Sequence, residues 1–166
     1  RRHRILQLGA VVIEADGTVI DQWSTLVRLR WPLQSVGPTH IHGLTRPMLR
    51  GAPRLSKAHD QLTPLLDGAI FTAHNAQFDA GFIVRAAHRR AGFELGPQLC
   101  TLRMSRQLDP DRQMSHRLVD VAERYGVDLT APHDALADAA ATAAVLPHLL
   151  AAHHIVEPEQ LDPFFV

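Results

Sequence analysis

Two stretches of the sequence bring carboxylates and an imidazole to places where helices begin. In Ala73-His74-Asn75-Ala76-Gln77-Phe78-Asp79 a short apolar run ends in polar residues that turn directly into a helix. Asn75 and Asp79 are four apart, so they share one helix face if Asn75 stands at its start. A carboxylate there lies at the exit of a strand, where the sites of open sheets gather. In Pro132-His133-Asp134-Ala135-Leu136-Ala137-Asp138-Ala139 the histidine and the second aspartate are five apart. Inside one helix they would point about 140° apart. They converge only if His133 precedes the helix and Asp138 lies within it, an arrangement that Asp134 as N-cap provides. Carboxylate oxygens suit hard divalent cations, and a histidine titrating near neutrality suits removal of a proton. Each stretch also has a plain structural reading. The first is an Asn N-cap with an Asp in the first turn; the second is an N-terminal box beside an incidental histidine.

Periodicity indicates the elements that must hold these residues. Residues 4–13 form a strand-like apolar run, and Asp16-Gly17 is a hairpin signal. Residues 18–28 alternate with Val19, Trp23 and Val27 on one face, so an antiparallel hairpin is predicted. Between Arg30 and Pro53 the chain is punctuated by Pro32, Gly37, Pro38, Gly43, Pro47 and Gly51 and reads as an ordered loop with one helical turn. Pro53 can open a helix in which Leu55, Ala58, Leu62, Leu65 and Leu66 repeat, closed by Gly68, although Pro64 opposes it near the end. Residues 69–73 read as a buried strand. A helix over residues 76–91 carries Phe78, Phe82, Ile83 and Ala86 as its stripe, with Arg85, Arg89 and Arg90 facing away and Gly92 ending it. A short helix is expected over residues 101–108. Ser115 then caps another, with Leu118, Val121, Ala122 and Tyr125 on one face and Gly126 as its stop. The last long helix starts near Asp134. Its alanines let a neighbour approach closely, and Pro147 should kink or end it. This order of elements makes an α/β or α+β domain.

The chain is long enough for one domain, expected over residues 1–154 with a C-terminal tail at 155–166. Apolar residues are 46% of the 166, which suffices for one sizeable core. No apolar run approaches a membrane span and no signal-peptide pattern opens the chain, so no membrane partner is expected. The single cysteine, Cys100, excludes an internal disulfide, suits a reducing cytoplasm and reads as a buried small hydrophobe. Seventeen basic and 17 acidic residues cancel, which argues against a large non-specific nucleic-acid surface but not against a small site. Lys57 is the sole lysine, a bias towards arginine that fits a GC-rich bacterial source. The 11 histidines read mostly as scattered surface residues. His40-x-His42 lacks further ligands at zinc spacing, and His153-His154 reads as a helix end.

Taken together, His-Asn-x-x-Phe-Asp (residues 74–79) and the later His-x-x-x-x-Asp-Ala (residues 133–139) resemble the second and third motifs of DEDDh-type 3′→5′ exonucleases of the DnaQ-like family. Arg4-Ile5-Leu6-Gln7-Leu8-Gly9-Ala10 resembles the family's second strand. Ile41-His42-Gly43-Leu44-Thr45 resembles its Ile-His-Gly-Ile-Thr loop, and Cys100-Thr101-Leu102 its later helix start. The resemblance runs from Arg4 to His153. It implies an α/β, ribonuclease-H-like mixed sheet flanked by helices, and a site where carboxylates hold two Mg²⁺ or Mn²⁺ ions. Asp79 and Asp138 would be metal ligands and His133 the general base, while His42, Ile41 and Asn75 would contact the substrate. Phosphodiester hydrolysis suits these residue types, since it needs an activated water and offset charge on the leaving oxygen.

The family's first motif, an Asp-x-Glu on a strand before the Arg-Ile-Leu-Gln-Leu segment, has no counterpart here. Only Arg1, Arg2 and His3 precede that segment, and Glu14 and Asp16 lie beyond it at the turn. The expectation is an N-terminally truncated domain without its central strand. Such a domain has either a gap beside residues 4–13 or direct pairing of residues 69–73 with them, and impaired hydrolysis. Two functions follow from the resemblance. One is a metal-dependent exonuclease releasing nucleoside monophosphates from the 3′ end of single-stranded DNA or RNA, such as a proofreading nuclease akin to the DNA polymerase III epsilon subunit. The other is a non-catalytic module that holds a nucleic-acid end or a polymerase subunit. Retention of Asp79, His133 and Asp138 favours the first. Gln160-Leu161-Asp162-Pro163-Phe164-Phe165 resembles a sliding-clamp peptide with Pro163 replacing the usual leucine. It would dock as an extended segment, unless Phe164 and Phe165 pack on the domain itself.

Overall fold

The computed structural model describes residues 4–31, 34–87, 94–129 and 131–166. Its first element is the expected hairpin. β1 (Gln7–Ile13) pairs antiparallel with β2 (Val19–Leu26), with Gln7 opposite Leu26 and Val12 opposite Asp21. Asp16 Oδ1 accepts from Thr18 N at 2.8 Å, and Gly17 supplies the positive φ of 91° that the turn needs. The register shifts between Val12 and Ile13, which resets the pleat. The expected shared face therefore breaks: Val27 is buried, whereas Val19 is 57% exposed.

The loop that follows holds two helical turns rather than one, α1 (Thr39–His42) and α2 (Arg46–Leu49). α3 (Leu55–Leu66) buries Ala58, His59 and Leu62. Pro64 falls in its last turn, where it removes one backbone bond but leaves few later residues to be displaced. β3 (Phe71–Ala73) is shorter than expected and only half-buried, with Ile70 exposed just outside it. α4 (Ala76–Ala87) follows at once. Its expected end at Gly92, with Arg89 and Arg90, lies outside the described residues, as do Pro32 and residues 1–3. β4 (Gln98–Cys100) was not expected at all. It pairs parallel with β3, Phe71 opposite Gln98 and Ala73 opposite Cys100. A three-residue strand is too short to show alternation. α5 (Thr101–Gln107) and α6 (Leu118–Arg124) come next. The N-cap of α6 is Arg117, not Ser115, whose hydroxyl instead donates to the Asp120 carboxylate.

α7 (Ala135–Ala152) starts where expected. Its N-cap Asp134 accepts from Leu136 N and Ala137 N, each at 3.0 Å. Pro147 neither ends nor interrupts the assigned helix. It costs α7 one backbone bond, and packing along both sides of the helix offsets that loss. By length and composition α7 could cross a membrane, contrary to the expectation that no run approached that length. Its apolarity comes largely from alanine, and it packs on β1, β2, α5 and α6 as a core helix.

The named strands form two separate pairs instead of one mixed sheet, and β3 does not pair with β1. The main core joins Leu99, Met104, Val121, Val145 and Leu149 to Leu161 and Phe164. The last two belong to a C-terminal 3-10 helix (Pro158–Phe164), so residues 160–165 are not an extended peptide. Docking on a clamp through Leu161 and Phe164 would require them to leave this core. The histidines are less superficial than expected: His59 is 2% exposed.

The start of α7 presses directly on β1. A Cβ on Gly9 would collide with the Ala135 backbone and lie 2.5 Å from Leu136 N. Gln7 fastens the same joint. Its Nε2 donates to Asp134 Oδ2 at 2.7 Å and its Oε1 accepts from Ala135 N at 3.3 Å. Gly9→Ala is therefore expected to push α7 off β1 at a cost of about 1–3 kcal/mol. Urea unfolding measures this, and an unchanged midpoint would mean that the backbones can separate freely.

Candidate active site

His74 closes β3 and ties it to α5. The carbonyl of His116 accepts from His74 Nε2–H at 2.8 Å, so His74 Nδ1 accepts from the Thr101 hydroxyl at 3.0 Å. Burial, foremost, holds its pKa below the usual histidine value, and the ring stays neutral. Asn75 then turns the chain at φ 75°, a left-handed conformation that a short polar side chain tolerates. Its carbonyl accepts from Phe78 N at 2.9 Å. Asn75 is thus not the extended N-cap that its position suggested. The turn delivers Asp79 into the first turn of α4.

The second half of the site is built at α7. His133 also adopts a left-handed φ, 71°, just ahead of the N-cap. Its backbone N donates to Asp138 Oδ1 at 3.3 Å, and Asp138 N bonds Asp134 O at 2.9 Å. The backbone of the histidine before the helix and the carboxylate of the aspartate inside it are thereby joined.

Electrostatics join the two halves. Burial, and after it the charge of Asp138, pushes the Asp79 carboxyl up to about 6. Burial likewise raises Asp138, opposed by the hydrogen bond from His133 N and by the His133 charge. Two half-buried carboxylates that repel each other are poised for a cation. Among the described residues no three His, Cys, Asp or Glu side chains form a complete metal cage. A pair is still adequate for a hard ion such as Mg²⁺, which keeps several waters and binds through one or two carboxylates plus substrate phosphate.

Ile41 and His42 stand on α1, a separate element. His42 Nδ1 accepts from Leu44 N at 3.1 Å, which places its proton on Nε2. That Nε2 is buried and makes no hydrogen bond among the described residues. Ile41 beside it is 49% exposed. Gln7 and His74 were not anticipated as supports of the site. The only sequence signal for Gln7 is a lone amide in an apolar strand.

The domain thus carries one aspartate in the first turn of α4 and another in the first turn of α7. The exonuclease family model, of the RNase T type, matches residues 1–146, and the chain belongs to that family. It is 34% identical over 146 residues to the PolC-type DNA polymerase III of Lacticaseibacillus paracasei, covering 86% of this chain and 10% of that polymerase. It is 36% identical over 151 residues to a protein of Mycobacterium tuberculosis named as a bifunctional exonuclease/endonuclease, covering 88% of this chain and 23% of that protein. The chain thus spans a small part of each relative. Exonuclease X, solved in complex with 5′ overhanging duplex DNA, superposes with a TM-score of 0.71 at 25% identity, over 96% of this chain and 90% of that one. The nuclease domain of 3′hExo, a DEDDh family member bound to rAMP, gives 0.75 at 14% identity, over 92% and 83%. The fold is that of the DEDDh exonucleases, and the chain is an exonuclease domain.

Proposed function

We propose that the protein shortens single-stranded DNA or RNA from the 3′ end, releasing nucleoside 5′-monophosphates, as part of a replicative or repair nuclease in the bacterial cytoplasm. What supports this is the exonuclease family match over residues 1–146, together with the influence of the Asp138 charge on Asp79 and the bond from His133 backbone N to Asp138 Oδ1. Asp79 and Asp138 would hold Mg²⁺ or Mn²⁺, with two ions in the family arrangement and substrate phosphate supplying further oxygens. When bound, the ions activate the attacking water and offset charge on the leaving 3′ oxygen. His133 accepts the proton of that water, and the Asp138 carboxylate favours the imidazolium that results. Water oxygen bonds to phosphorus, the P–O3′ bond breaks, and a new 3′ hydroxyl is left on the shortened strand. The buried Nε2–H of His42 is free to donate to the terminal nucleotide, while Ile41 offers an apolar contact. Asn75 shapes the turn before Asp79. The PolC-type relatives support association with a polymerase subunit.

The test is a 5′-labelled strand of DNA or RNA incubated with the full-length protein in Mg²⁺, Mn²⁺ or EDTA. The expected result is a ladder shortened from the 3′ end, absent in EDTA. Uncut substrate bound with measurable affinity would move the protein to the class of nucleic-acid-end binding modules.

A further inference from the structure

A second feature adjoins the site and is not used by it. At the carboxyl ends of the parallel pair β3–β4 lies an open cleft of about 370 Å³. It is lined by Asn75 and Gln77, by Arg103 and Arg106 of α5, and by Arg112 and Val166. Among the described residues none of the lining side chains is acidic, although the chain as a whole is neutral. Arg103 is fixed by donation to the Phe165 carbonyl at 2.7 Å. Arg106 and Arg112 are exposed, and neither forms an ion pair among the described residues. Arg112 is held at φ 54°, a conformation unfavourable for an arginine, with its backbone N bonded to Asp109 O at 3.1 Å.

Ligand sites in open α/β sheets gather at this end of the strands. The cleft also shares with the candidate active site the turn at Asn75, a lining residue four positions before Asp79. Several guanidinium groups in a row, backed by amide side chains that do not select a base, suit a phosphodiester backbone. We propose that this cleft grips internal phosphates of the strand being shortened, upstream of the bond held at Asp79 and Asp138. The choice of ligand rests on the exonuclease reading. Strand length beyond the last few nucleotides then adds affinity, and the cleft keeps the strand in place between successive cuts.

The experiment compares wild type with R106A/R112A in the full-length protein, using 5′-fluorescein oligothymidylates and EDTA to prevent cleavage. Anisotropy is recorded over a salt series for a strand of about 12 nucleotides and one of about 3. Loss of two phosphate contacts should weaken the long strand roughly 10- to 30-fold at 0.1 M salt and lower the salt slope by about 1.4. Binding of the short strand should not change, and R106K/R112K should restore most of the loss. An unchanged slope, equal affinity of wild type for long and short strands, or no binding by wild type would overturn the inference. So would full displacement of the long strand by millimolar inorganic phosphate, the mark of a lone-anion site. Both substitutions alter exposed side chains, so the thermal midpoint serves as a folding control. The two readings fail separately. Arginine-dependent binding without cleavage would sink the exonuclease reading alone. A 3′ ladder that R106A/R112A cuts and binds as wild type does would sink the cleft alone.

Discussion

Asp79→Asn is expected to abolish cleavage and, at neutral pH, to leave the metal-free protein more stable than wild type. The folded-state pKa of Asp79, about 6, lies above its ordinary 3.8, so the fold favours the protonated acid. That stabilisation is complete below pH 3.8 and is lost as pH rises through 6. Above pH 7 the ionised carboxylate sits half-buried near Asp138, at a cost on the order of 2–3 kcal/mol. Asparagine keeps the shape and removes the charge. For a domain of this size each kcal/mol moves the melting midpoint by roughly 2–4 °C. A rise of about 5–10 °C over wild type is therefore expected in EDTA at pH 7.5, shrinking to nothing near pH 4. Mn²⁺ should raise the wild-type midpoint and leave Asp79→Asn unmoved, because the ion offsets the repulsion that the substitution has already removed. Asp138→Ala should share the loss of activity through lost metal binding. Equal wild-type midpoints at pH 5 and 7.5 in EDTA, with no gain in the variant, would mean that Asp79 is neither desolvated by burial nor close to another negative charge.

His133→Asn should slow hydrolysis by roughly 10²–10⁴-fold while leaving metal and strand affinity unchanged. Asparagine is the informative replacement because it tolerates the φ of 71°. Its backbone N–H can still bond Asp138 Oδ1, as that of His133 does at 3.3 Å. Alanine would add backbone strain and mix structural damage with the loss of the base. Single-turnover rates at saturating enzyme separate chemistry from binding. A variant that cuts at the wild-type rate would remove His133 from the role of base.

What could be read from the sequence was what depends on near neighbours. Asp134 was identifiable as an N-cap because it bonds residues only two and three further along. The same local geometry predicted that His133 and Asp138 converge. The Asp16-Gly17 turn is equally local. The failures involve distant partners. β4 is three residues long and exists because it pairs with β3 across α4. Gln7 gains its meaning only from Asp134 and Ala135, far along the chain. Pro147 was expected to kink or end α7, but intrinsic propensity yields where a helix is anchored on both sides of the proline, here by the buried Val145 and Leu149. The tail resembled a docking peptide because exposure cannot be read from residue types. Leu161 and Phe164 are anchors of the domain's own core.

The joint between β1 and α7 also sets which parts of the molecule open together. The main core draws on β4, α5, α6, α7 and the C-terminal 3-10 helix, and none of its buried members comes from the hairpin. The hairpin instead leans on the first turns of α7 through Gly9 and Gln7. In hydrogen exchange, amides of β1 and β2 should therefore lose protection well before those around Val145 and Leu149. Because Gln7 holds Asp134, each opening of the hairpin releases the N-terminal turn that aims Asp138. The working lifetime of the catalytic arrangement is then governed by the hairpin, the less protected part of the fold, and not by the core that dominates global stability.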